Sequence, residues 1–117
     1  MNEHDHQKII FKWASTIPAL DTLFAVPNGS LRDLGTAIKL KAEGVKKGVP
    51  DMMLARPSYD GKFHGLFIEL KTETGRASKE QKEWIEKLNA NGYRAVVCFG
   101  YKEAIGEIKN YAGIEWV

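Results

Sequence analysis

The segment Phe67-Ile68-Glu69-Leu70-Lys71 constrains this chain more than any other. Its β-forming, apolar residues make a strand suited to a core, yet it carries a carboxylate and an ammonium. A buried carboxylate must be paired, neutralised or bound to a cation. Side chains alternate across a strand, so Glu69 and Lys71 leave one face while Ile68 and Leu70 leave the other. On its own, Glu-x-Lys is common by chance and is most simply a surface pair.

A second signal gives the tripeptide weight. Gly48-Val49-Pro50-Asp51 opens the preceding strand, Asp51-Met-Met-Leu-Ala, which Pro57-Ser-Tyr-Asp-Gly61 joins to a strand over Phe63 to Lys71. Antiparallel pairing of the two can bring Asp51 beside Glu69 across 18 residues of sequence. Two carboxylates and a lysine then converge, with the Leu70 carbonyl as a further oxygen. Hard oxygen donors suit Mg²⁺ or Mn²⁺, whereas zinc favours Cys and His, and the chain has one Cys and three His.

Around this hairpin the periodicity alternates. Ile9, Ile10, Trp13, Ala14 and Ile17 predict a helix over 3–17 that stops before Pro18, followed by a short strand, Leu23 to Val26. Pro27-Asn28-Gly29 is turn chemistry, and a second helix is expected from about Asp33, closed by Gly44. Ser78-Lys-Glu-Gln81 has the form of a capping box, Trp84, Ile85 and Leu88 supply the stripe of the helix it opens, and Asn91-Gly92 stops it. Tyr93 to Phe99 is expected as a buried strand, and Ala104, Ile105 and Ile108 as a last short helix before Gly113. The order α, β, α, β, β, α, β, α predicts one three-layer α/β domain over residues 1–117, a mixed central sheet flanked by helices.

Charge is local rather than general. The chain carries a formal net charge of +2, but residues 30–50 hold five basic and two acidic side chains. Arg32, Lys39, Lys41, Lys46 and Lys47 make a footprint expected beside a polyanion, the alternative being a solvated helix face and loop. With Cys98 alone, an intramolecular disulfide and a cysteine zinc cluster are excluded, which suits a reducing compartment. No apolar run approaches the roughly 20 residues that span a bilayer, and the start Met-Asn-Glu-His-Asp-His-Gln lacks a signal-peptide layout. A cytoplasmic chain with no membrane partner is expected.

These motifs together resemble the PD-(D/E)xK nuclease superfamily, with Pro50-Asp51 and Glu69-Leu70-Lys71 as its two signatures. They are more similar still to the VRR-NUC family, through Glu3 and Gln7 on an early helix, the Asn-Gly turn, Gly-Val-Pro-Asp, Glu-x-Lys and Ser78 to Gln81, all in order. The segment Lys41-Ala-Glu-Gly-Val-Lys-Lys-Gly-Val-Pro-Asp51 resembles the small stand-alone phage and bacterial members. The resemblance implies a restriction-endonuclease-like fold and a metal-dependent DNA endonuclease. In it Asp51 and Glu69 hold Mg²⁺ or Mn²⁺ with the Leu70 carbonyl, and Lys71 orients or activates the attacking water. It implies too that Glu3 binds the metal or its water, unless it is an exposed terminal glutamate.

Gln81 is placed to hydrogen-bond a scissile phosphate or water, though capping explains it equally. Stand-alone members resemble Holliday-junction resolvases that act as homodimers, and a two-fold dimer would cut two strands symmetrically. A nuclease for flaps, forks or nicking and a non-catalytic nucleic-acid-binding module are the alternatives. Lys46 and Lys47 are the first candidates for contact with branched or duplex DNA, with Lys41 and Arg32 beside them and Arg76 and Lys79 as the next place to look. His4 and His6 are expected to be solvated and His64 structural, while Cys98, Trp13 and Trp84 are expected in the core and Trp116 at an apolar chain end.

Overall fold

The computed structural model describes residues 1–27 and 34–115. Its elements follow the expected order: α1 (Glu3–Ala14), β1 (Leu23–Ala25), α2 (Leu34–Ala42), β2 (Met52–Leu54), β3 (Leu66–Lys71), α3 (Lys79–Ala90), β4 (Arg94–Phe99) and α4 (Tyr101–Ala112). The sheet runs β1-β2-β3-β4. β1, β2 and β3 pair antiparallel, and β4 joins β3 in parallel after the α3 crossover, so the sheet is mixed.

Strand alternation sets the layers. Met52, Leu54, Leu66, Ile68 and Leu70 are buried in one core with Ile10 and Ala14 of α1 and Ala104, Ile108 and Tyr111 of α4. α3 covers the opposite face, where Leu88 and Ala95 are buried. The Asn89 side chain ties α3 to the sheet, its Nδ2 donating to the Ala95 carbonyl and its Oδ1 accepting from the Ala95 N–H. Glu69 and Lys71 alternate out of the apolar core and so face the α3 side.

Three local expectations are corrected. The first helix ends at Ala14, short of residue 17, because the Ser15 and Thr16 hydroxyls donate back to the Lys12 and Trp13 carbonyls and a 3₁₀ turn at Pro18–Leu20 follows. β4 is an edge strand that is only partly buried, with Phe99 at its end 42% exposed. Its helix α4 is not short, for it starts two residues after that strand and runs 12 residues.

His6 is a further correction, since it is not simply solvated. α4 has Gly100 at its N-cap and no capping side chain of its own, and the Tyr101 N–H donates instead to His6 Nδ1 at 3.0 Å. An imidazole from α1 therefore caps α4.

Candidate active site

β2 and β3 bring the two acids together by register. Met52 lies opposite Ile68, so the residue before Met52 and the residue after Ile68, Asp51 and Glu69, face one another past the end of β2. Asp51 replaces the missing strand partner: its Oδ2 accepts from the Leu70 N–H at 2.7 Å. A strand residue's N–H and C=O point to the same edge, which directs the Leu70 carbonyl toward Asp51 as well.

Glu69 is 1% exposed. Its Oε2 lies 3.4 Å from Lys71 Nζ and accepts from Gln81 Nε2 at 3.1 Å. Among the described residues its Oε1 is buried with no hydrogen-bond partner. Burial pushes the Glu69 carboxyl up to about 8, the neighbouring Asp51 carboxylate adds to the rise, and Lys71 offsets only part of it. A buried carboxylate with one oxygen unpartnered and a second acid beside it fits a divalent cation as its missing partner.

Gln81 has the capping role expected of it and also contacts Glu69. The Ser78 N–H donates to Gln81 Oε1 at 2.8 Å while the Gln81 N–H donates to Ser78 Oγ. With its oxygen held by the cap, the amide turns its Nε2 toward Glu69. The helix start of α3 is thus hydrogen-bonded to the site.

A cleft of about 550 Å³ opens over this arrangement, lined by Lys41, Lys46, Lys47, Asp51 and Gln81. Three of the four basic candidates thus share a cleft with Asp51, and Arg32 lies outside the described residues. Lys47 Nζ is 3.5 Å from Glu80 Oε1, an exposed pair worth little to stability.

Gly48 sets the approach of this loop. It has φ +94°, and a Cβ there would stand 2.7 Å from the Glu80 backbone carbonyl carbon. Gly48→Ala is expected to lower stability by about 2 kcal/mol, roughly 10 °C in Tm, by forcing the loop off the first turn of α3. Thermal denaturation checks it, and an unchanged Tm would show that the loop is not held there.

The remaining candidates separate. Glu3 is exposed and lines a groove that Asp51 also lines. Among the described residues, however, no three His, Cys, Asp or Glu side chains are gathered closely enough to hold a metal. Glu3 therefore does not join Asp51 and Glu69 in one cluster here. His64 packs edge-on to Tyr93 and over Gly92, five residues before Glu69 and so roughly 16 Å along the strand from the acids. Burial pushes the Cys98 thiol up to about 12, as suits a core residue. Trp13 packs against the core, Trp84 is half-buried with Lys87 Nζ 5.9 Å from its ring centroid, and Trp116 lies outside the described residues.

A solved structure described as a VRR_NUC domain protein superposes with a TM-score of 0.84 and is 32% identical, covering 97% of this chain and 90% of its own. No curated protein matches the chain. The family model of the VRR-NUC domain matches residues 2–101, which include both acids, Lys71 and Gln81, so this chain belongs to the VRR-NUC domain family and has a nuclease-type function.

Proposed function

We propose that this chain is a structure-specific endodeoxyribonuclease, dependent on Mg²⁺ or Mn²⁺, that resolves Holliday junctions as a homodimer. The observation that carries the reading is the buried Glu69 Oε1, without a hydrogen-bond partner among the described residues, beside Asp51, which lines a cleft with Lys41, Lys46 and Lys47.

Asp51, Glu69 and the Leu70 carbonyl would hold the ion, which supplies an acidified water and charge neutralisation on the phosphoryl group. Gln81 and Lys71 both engage Glu69 Oε2, and so fix which carboxylate oxygen is left for the ion. The Lys71 side chain, 12% exposed and 3.4 Å from Glu69 Oε2, would orient the water and offset charge building on the phosphate. Lys41, Lys46 and Lys47 would hold neighbouring phosphates.

Incubation of an immobile four-way junction, both strand pairs labelled, with Mg²⁺, Mn²⁺ or EDTA tests the reading. Metal-dependent paired cuts across the junction support it. Cleavage of flaps or forks in preference would assign a different DNA structure to the same chemistry. Tight binding with no metal-stimulated cleavage would leave only a binding module.

Two predictions belong to this mechanism. Lys71→Arg is expected to reduce turnover at least about tenfold, because a planar, bulkier guanidinium cannot occupy the place of a compact ammonium beside Glu69. Parental turnover in that variant would make Lys71 an ordinary ion-pair partner. A Lys46→Ala, Lys47→Ala double variant is expected to bind unrelated DNA sequences more weakly alike, its plot of log affinity against log salt losing a slope of about 0.9 per phosphate contact. A salt titration identical to the parent's would move the search to Arg76 and Lys79.

A further inference from the structure

Asp51 lines two cavities. One is the Lys41–Lys46–Lys47 cleft on the α3 side, and the other is a groove of about 470 Å³ between α1 and the end of β1. On one wall of the groove His4, Gln7 and Lys8 project from α1, at the three- and four-residue spacings that share a helix face. Phe11, Val26 and Pro27 make its apolar side. Among the described residues Lys8 is exposed and has no ion-pair partner.

Resting on the nuclease reading above, we infer that this groove is a second subsite for the nucleic-acid strand. It holds the nucleotides on the side of the scissile phosphate away from Lys46 and Lys47, with Lys8 contacting a phosphate. A strand cut internally must leave the reaction centre in both directions. Each cavity is the size of a small-ligand site, so neither accommodates more than a short stretch of strand by itself. Their shared residue is the proposed metal ligand, which puts the scissile phosphate at the junction of the two. The groove's composition suits a nucleotide strand, since donors on one wall meet the backbone and an apolar wall meets sugar and base. Glu3, at the same edge, adds a negative charge that leaves Lys8 as the main attractive group.

The test is binding of a fluorescein-labelled immobile four-way junction in EDTA across a salt titration, for the parent, Lys8→Ala, Lys12→Ala and the Lys46→Ala, Lys47→Ala double variant. Lys12 is exposed on the same helix, removes the same charge and does not line the groove. Lys8→Ala is expected to lower the salt slope by about 0.9 and to differ from Lys12→Ala, which keeps the parental slope. An unchanged slope in Lys8→Ala, an equal loss in Lys12→Ala, or no measurable binding by the parent would overturn the subsite. Cleavage by the parent in Mg²⁺ is read separately. A bound but uncut junction with a Lys8-dependent slope removes the nuclease reading and keeps the subsite. A cut junction with a Lys8-independent slope does the reverse.

Discussion

Asp51→Asn and Glu69→Gln are each expected to lower metal-dependent cleavage by about a thousandfold or more, equivalent to roughly 4 kcal/mol in the barrier, while fold and DNA affinity stay near the parent's. The amide keeps the shape of each side chain and removes the charge that a divalent ion requires. In Asp51→Asn the amide can present its oxygen to the Leu70 N–H, so the hydrogen bond that closes the end of β2 survives. In Glu69→Gln the neutral side chain no longer places a charge beside Asp51 in a buried site. Circular dichroism and junction binding in EDTA, measured beside cleavage in Mg²⁺, separate the roles. Loss of folded structure in both variants would make these acids structural, and near-parental cleavage in either would remove it from the ligand set.

Much of this site was legible because it depends on short-range rules. The period of two in β3 put Glu69 and Lys71 on one face, and antiparallel pairing across the Pro57–Gly61 connection fixed Asp51 opposite Glu69. The capping box at Ser78 and Gln81 was equally local. Its second function was not, because the Gln81 amide has two ends and only the packing of α3 against the sheet decides what the nitrogen meets.

What sequence periodicity missed depends on contacts between distant segments. His6 caps a helix 95 residues away, and nothing near it in the chain signals an acceptor for the Tyr101 N–H. The apolar run of β4 resembles a central strand, yet β4 lies at the sheet edge beyond β3, a matter of strand order rather than of composition. The groove beside α1 is of the same kind: His4 and Lys8 are exposed, and only the fold sets them on one wall with β1's end and Asp51 on the other.

Without metal, the protein is expected to lose stability as pH rises from about 5 to about 8, by an amount on the order of 3 kcal/mol, and to recover it when Mg²⁺ or Mn²⁺ is added. Unfolded, the Glu69 carboxyl ionises near its ordinary 4.5; folded, burial and the Asp51 carboxylate hold its proton up to about 8. Between those values the folded state binds more protons than the unfolded one. Stability therefore falls with rising pH through that window and levels off above it. Lys71, 3.4 Å from Glu69 Oε2, moderates the loss without cancelling it. A divalent ion removes the cause by replacing the proton as the partner of the paired acids, and at a hundred times its Kd it would return about 2.7 kcal/mol. Glu69→Gln has no such proton to lose, so its Tm in EDTA should exceed the parent's at pH 8 and approach it at pH 5. Thermal denaturation at pH 5, 6, 7 and 8 in EDTA, repeated with Mg²⁺, gives the comparison. An equally steep fall in the Glu69→Gln variant would place the titrating group elsewhere, and a parent indifferent to both pH and metal would mean that Glu69 is ionised and satisfied without an ion.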